Sequence, residues 1–265
     1  ASFRHAAPVR RASRKAGEVS GLKGRVQILD DRRALARHVA EWMTNLALAS
    51  EGPFRVALSG GSTPKMLYEL LASSELRPRF PWKRVFWYWG DERFVPHDDS
   101  DSNYRMTVEA MLAKAPVPPQ NVFPVPVDGA PEEAALRYER TLQEAYGGSV
   151  LDPAKPLFDI NLLGLGADGH IASLLPDEPA LEERKRWVVA VPHGRPEVRI
   201  TMTYPVLESC RRAAFLVAGS EKAPIVRAMQ SGESRVPAAR FEPVGELLWF
   251  LDRSASSESS MASPF

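Results

Sequence analysis

The sequence predicts a single α/β domain, built on a Rossmann-like, mostly parallel sheet with helices on both faces. Three observations predict it. Short apolar segments of strand length alternate with amphipathic segments of helix length from about residue 26 to residue 252, the pattern of a parallel sheet buried beneath helices. Glycines and polar residues gather directly after several of the apolar segments, at the strand ends where such sheets bind ligands. No internal repeat or interior linker divides the 265 residues, a length sufficient for one large core.

Taken in order, "RVQIL" (25–29) is a strand that leads through Asp30 and Asp31 into the helix "RRALARHVAEWMTNLALA", where Leu35, Val39, Trp42 and Leu46 share a face. "FRVALSGG" is a strand and turn, followed by the helix "TPKMLYELLASS", which Thr63 is placed to cap with Pro64 in its first turn. "RVFWYWGD" reads as a buried aromatic strand. "SNYRMTVEAMLAKA" and "PEEAALRYERTLQEAYGG" read as helices, the second stopped by Gly147. "FDINLLGLG", "WVVAVP", "VRITMT", "AAFLVAGS" and "ELLWFLD" are further strands, with the helix "EKAPIVRAMQSG" after the fourth of them.

Both ends differ from this middle. Residues 1–25 carry seven basic residues against the single acid Glu18 and read as a flexible basic tail; residues 253–265 read as a second tail. Residues 26–252 are left as the folded domain. A net charge of +1 points to neither a nucleic-acid nor a membrane partner, and no apolar run reaches the ~18–20 residues that span a bilayer. The lone Cys210 excludes an intramolecular disulfide and fits a reducing compartment. A cytoplasmic protein is expected, with organellar targeting by the Arg-rich N-terminus as the alternative.

Four loops carry chemistry, and all follow strands: 59–63, 90–93, 164–170 and 219–222. In "LSGGSTP" (58–64), Gly60, Gly61, Ser62 and Thr63 stand at a helix start, where unpaired N–H groups and the helix dipole suit a phosphate. A tight turn before a capped helix uses the same residue types. In "WGDERFVP" (89–96), Asp91 can accept from a sugar hydroxyl and Arg93 can hold a phosphate by charge-assisted hydrogen bonds, or the run is a solvated rim. Arg199 lies inside the apolar "VRITMT" and needs a partner or a pocket. Lys222 opens a helix, where an exposed lysine is the commoner case for any single lysine.

The segment "FDINLLGLGADGHIASLLP" (158–176) contains a literal G-x-G-x-x-G. A dinucleotide site needs a proper helix after those glycines and an acid about 20 residues further on. Only "HIASLL" precedes Pro176, and position 189 is a valine. What remains is Asp168 and His170, two apart at a glycine-rich strand end. An imidazole exchanges protons near neutral pH, and a neighbouring carboxylate can fix its tautomer; a structural histidine is the plain alternative. His38, His97 and His193 show no metal-ligand spacing to it, and no G-x-S-x-G supplies a serine nucleophile.

The set "SGGSTP", "WYWGDERFVP…SDSNYR", "FDINLLGLGADGHIASLLP", "VRITMT" and "VAGSEK", in this order and spacing from about 26 to 252, resembles the 6-phosphogluconolactonases, within the superfamily that includes glucosamine-6-phosphate deaminases. The resemblance implies no metal, no cofactor and hydrolysis of 6-phospho-D-glucono-1,5-lactone to 6-phosphogluconate. It puts the general base on His170, assisted by Asp168, and the phosphate on Gly60, Gly61, Ser62 and Thr63 with Arg93, Arg199 and Lys222. Asp91 takes the sugar end. The implied partner is a small sugar-phosphate lactone, bound by a monomer or weak homo-oligomer. Leu175 stands where the deaminases place a relay glutamate, which favours the lactonase; a deaminase-isomerase or a non-catalytic sugar-phosphate-binding regulator are the alternatives.

Overall fold

A computed structural model describes residues 21–256 apart from Glu233. The tails assigned to 1–25 and 253–265 therefore lie mostly outside the described residues. The parts that are described lie against the domain: Lys23 pairs with Glu242, the Lys23 carbonyl accepts from the Trp249 indole, and Ala255 and Ser256 are buried.

The chain runs β1 (Arg25–Leu29), α1 (Arg32–Ala49), β2 (Phe54–Leu58), α2 (Ser62–Leu71), β3 (Val85–Trp89), β4 (Asp91–Arg93), α3 (Asn103–Ala110), β5 (Val122–Phe123), α4 (Pro131–Tyr146), β6 (Ile160–Leu163), β7 (Val188–Val191), β8 (Arg199–Met202), α5 (Tyr204–Glu208), β9 (Arg212–Val217), α6 (Ala223–Gln230), α7 (Pro237–Arg240) and β10 (Glu246–Asp252). Seven strands form one parallel sheet in the order β1-β10-β9-β6-β2-β3-β5, flanked by helices. The single α/β domain expected from the alternation is the one observed.

Two strands behave differently. β8 pairs with β7 on one side and β4 on the other in a small antiparallel sheet. The reason is the connection: residues 192–198 are too few for a parallel crossover, which takes a dozen or more, so the chain can only fold back as a hairpin. β4 and β5 are strands too short to announce themselves in the sequence.

Burial follows the sequence pattern with local shifts. α1 is capped by Asp31, which accepts from the Ala34 N–H at 2.8 Å, and its buried stripe is Leu35, Ala36, Val39, Ala40, Met43, Thr44 and Ala47. Trp42 and Leu46 sit half-buried at the margin of that stripe. Alanines in the stripe let the helix pack close. α3 stops at Ala110 and gives way to a 3₁₀ turn at Leu112–Lys114. Gly147 ends α4 in the left-handed conformation, φ 83°.

Two tyrosines fix the strand ends from which the functional loops leave. Where a strand ends inside a protein, its last N–H and C=O lose their ladder partners and still need hydrogen bonds. Tyr68 on α2 accepts from the Ser59 N–H and donates to the Ser59 carbonyl, at 3.1 and 2.8 Å. Tyr138 on α4 does the same for Trp89, at 2.8 and 2.9 Å. Burial pushes both phenols upward, so they stay neutral and keep both roles.

Candidate active site

The strands β9, β6, β2 and β3 are neighbours in the sheet, so the loops that follow them open side by side at one rim. They line a cleft of about 280 Å³. Gly60, Gly61, Ser62, Thr63, Asp91, Arg93, His170, Arg199 and Lys222 all face it. Asp168 does not: it stands behind the His170 ring, with Oδ1 2.5 Å from Nδ1.

The glycine–hydroxyl loop departs from expectation at one point. α2 begins at Ser62 with Gly61 as its N-cap, and no side chain caps it, so Thr63 is inside the first turn and is not the cap. Gly61 adopts φ 103°, where a side chain is strained. The result leaves first-turn N–H groups free for an anion at the positive end of α2. Gly60 is needed for a different reason: a Cβ there would lie 2.0 Å from Asn103 Oδ1.

Asn103 was not legible as a site residue. It lines the cleft from the start of α3, is 3% exposed, and donates from Nδ2 to the Asp91 carbonyl at 3.1 Å. Its neighbour Glu92, buried, accepts from the N–H groups of Arg93, Asn103 and Tyr104 and from the Ser102 hydroxyl. Burial raises the Glu92 carboxyl, and the three backbone donors oppose that rise. This carboxylate at the N-terminus of α3 clamps β4 in place. Asp91 itself spends one oxygen on the Ser173 hydroxyl at 2.6 Å, joining β4 to the histidine loop.

β4 and β8 bring Arg93 and Arg199 into register as direct cross-strand partners. Like charges placed so are destabilising, and burial makes it worse. Arg199 pairs with Glu197 at 2.5 Å and Arg93 donates to the Asp101 carbonyl. The Nε of each guanidinium is nevertheless buried without a hydrogen-bond partner. Two cations held together with unspent donors at a cleft are an arrangement that an anion completes.

The histidine loop contains no helix. Gly166 and His170 close a turn, with the Gly166 N–H donating to the His170 carbonyl and the Gly169 N–H to the Gly166 carbonyl, both at 3.0 Å. A second turn, Ile171–Leu174, follows directly. The G-x-G-x-x-G spacing therefore lacks the helix a pyrophosphate needs. His170 Nδ1 lies 2.5 Å from Asp168 Oδ1, and Asp168 Oδ2 lies 2.7 Å from the Arg195 guanidinium. Partial burial raises the Asp168 carboxyl, but the hydrogen bonds from Arg195 and His170 outweigh it and hold the group well below the usual carboxylate range. An ionised Asp168 accepts the Nδ1–H, so Nε2 carries the lone pair.

Gly166 makes this geometry possible, since a Cβ there would fall 2.0 Å from His170 Nδ1 and 2.5 Å from Asp168 Oδ1. Gly166→Ala should thus displace the imidazole from its carboxylate. Steady-state kinetics should show kcat reduced by about tenfold or more, the loss expected when a positioned group is moved by around 1 Å, with KM changed less.

Among the described residues, no group of three or more His, Cys, Asp or Glu is placed to hold a metal ion, and no helix is long and apolar enough to cross a membrane.

Known proteins resemble this chain over most of its length. Residues 30–249 match the family model described as glucosamine-6-phosphate isomerases/6-phosphogluconolactonase. The chain is 40% identical over 249 residues to a 6-phosphogluconolactonase of Nostoc sp., spanning 91% of this chain and 100% of that one. It is 37% identical over 246 residues to 6-phosphogluconolactonase 3, chloroplastic, of Arabidopsis thaliana, spanning 89% and 75%. The solved structure of 6-phosphogluconolactonase from Trypanosoma cruzi is similar with a TM-score of 0.78 at 29% identity, over 91% of this chain and 98% of that chain.

Proposed function

The chain belongs to the glucosamine-6-phosphate isomerase/6-phosphogluconolactonase family, and from that premise we propose how its cleft performs the lactonase reaction. That reaction is hydrolysis of 6-phospho-D-glucono-1,5-lactone to 6-phosphogluconate, in the oxidative branch of the pentose phosphate pathway. The observation that carries the mechanism is the cleft itself, which His170 shares with two facing arginines whose buried Nε–H groups are unspent.

The substrate's phosphate docks on Arg93, Arg199 and Lys222 with the Gly60–Thr63 loop, by charge pairing and backbone donors. Asp91 receives a sugar hydroxyl on the oxygen that Ser173 leaves free. Anchoring at that end holds the lactone carbonyl at the His170 end of the cleft. Neutral His170 takes a proton from water on Nε2 as the water oxygen bonds to C1. Asp168 stabilises the resulting imidazolium through Nδ1–H. The tetrahedral intermediate collapses, the bond from C1 to the ring oxygen breaks, and Nε2 returns its proton to the departing oxygen. Proton transfer of this kind contributes on the order of 10²–10⁴-fold.

The deciding assay generates the phosphorylated lactone in situ and follows its loss against the spontaneous rate. Enzyme-dependent hydrolysis, without release of ammonia from glucosamine 6-phosphate, is the expected result. Ammonia release would select the deaminase instead; phosphosugar binding with no turnover of either substrate would select a regulator. Leu175 is buried, 1% exposed, and offers no carboxylate to the histidine loop. A monomer or weak homo-oligomer fits a cleft lined within one chain, and the chloroplastic relative supports the organellar alternative to a cytoplasmic location.

A further inference from the structure

Arg195 lies outside the cleft, in the seven-residue hairpin link between β7 and β8, and no sequence motif singles it out. Its guanidinium donates to Asp168 Oδ2 at 2.7 Å and to the Gly194 carbonyl at 2.8 Å, and it lies 3.2 Å from His170 Nδ1. The backbone of the link is seated on the histidine loop: a Cβ at Gly194 would come within 2.8 Å of Leu175 Cδ1 and 3.2 Å of Glu178 Oε1. Gly194 also takes φ 79°, where a side chain is strained, so the turn that delivers the arginine favours glycine.

We propose that Arg195 is a positioning residue for the lactonase reaction, acting on His170 through Asp168. The division of labour on the carboxylate supports this. Oδ1 faces the imidazole and the His170 N–H, and Oδ2 faces Arg195. A carboxylate held by one partner alone can rotate about its Cβ–Cγ bond, whose torsional preference is broad. Held on both oxygens, it keeps Oδ1 on Nδ1. Arg195 bears on the tautomer only by holding Asp168 in place. The arginine's own N–H near Nδ1 would favour a lone pair there, but the ionised carboxylate at 2.5 Å is the closer and stronger acceptor site, so Nδ1 bears the hydrogen and Nε2 the lone pair. An ion pair whose members are 29% and 39% exposed adds little to folding. The arrangement makes sense for orientation and much less for stability.

This inference rests on His170 being the base, and the experiment separates the two. Arg195→Ala, Arg195→Lys and His170→Ala are assayed on the phosphorylated lactone, and the imidazole ¹⁵N spectra of labelled wild type and Arg195→Ala are recorded. His170→Ala identifies the His170 signals. Arg195→Ala should lower kcat by about 10- to 100-fold, the range for groups that orient a functional imidazole from behind, with KM within about threefold. Lysine should restore most of the rate, because only one guanidinium nitrogen reaches Asp168. The spectrum should pass from the Nδ1–H tautomer to a mixture. An unchanged kcat and tautomer in Arg195→Ala overturns the inference while leaving the base assignment intact. Equal losses in the alanine and lysine variants, with thermal stability falling in step, also overturn it. Full activity in His170→Ala overturns the base assignment itself.

Discussion

Replacing His170 with alanine lowers kcat by about 10²–10⁴-fold and leaves KM within a few-fold. In the mechanism proposed above, the imidazole accepts the proton at the reacting carbon and makes no part of the phosphate anchor, so its loss should fall on the transition state and not on ground-state binding. Removal should cost little stability, since the ring is partly exposed and its one strong partner, Asp168, keeps Arg195. The residual rate should approach that of the bound lactone with unactivated water. Stopped-flow titration of the released acid, corrected for spontaneous hydrolysis, measures it. A drop in kcat/KM produced entirely by KM would move His170 from the chemistry to binding.

The opposite signature is expected at the other end of the cleft. Arg199→Ala should raise KM for the phosphorylated lactone by about 10- to 100-fold, the worth of hydrogen bonds to a charged group, with kcat at saturation changed far less. Arg93→Ala should act in the same direction. Neither change should affect hydrolysis of the unphosphorylated lactone, which has nothing to place between the two guanidiniums. The binding side can be read without turnover. Inorganic phosphate should raise the melting temperature of wild type, because a ligand that binds only the folded state stabilises it by mass action. In Arg199→Ala that rise should shrink. Equal stabilisation of both proteins would mean that the anion sits elsewhere.

These two signatures are separable because the sheet places the two chemistries on different loops of one rim. His170 comes from the loop after β6, while Arg93 and Arg199 come from the small antiparallel sheet joined to β3. The clamp formed by Glu92 on α3 and the hydrogen bond from Ser173 to Asp91 hold those pieces together.

How much of this the sequence carried depends on the reach of each interaction. Asp168 and His170 were visible because their partnership spans two residues in one turn, and a turn of that size is set by local conformation. The glycine–hydroxyl loop was visible for the same reason, though not its cap: Thr63 and Gly61 are both chemically plausible there, and only the backbone angle at Gly61 decides. Arg199 showed itself as a charge where burial was expected. Asn103, Glu92 and Arg195 gave no such signal. Each is an ordinary residue in an ordinary place, and each acquires its role through a contact across 11 to 27 positions of chain.

By itself, then, the sequence determined the alternation of strands and helices, the strand-end loops that line the cleft, and the pairing of Asp168 with His170, since these follow from hydrophobic period and short-range turn chemistry. The tertiary structure alone decided that β7 and β8 fold back on each other, that Arg93 and Arg199 face across two strands, and that Arg195 grips Asp168 from behind. Those outcomes depend on which segments pack side by side, and packing is set by the whole core at once.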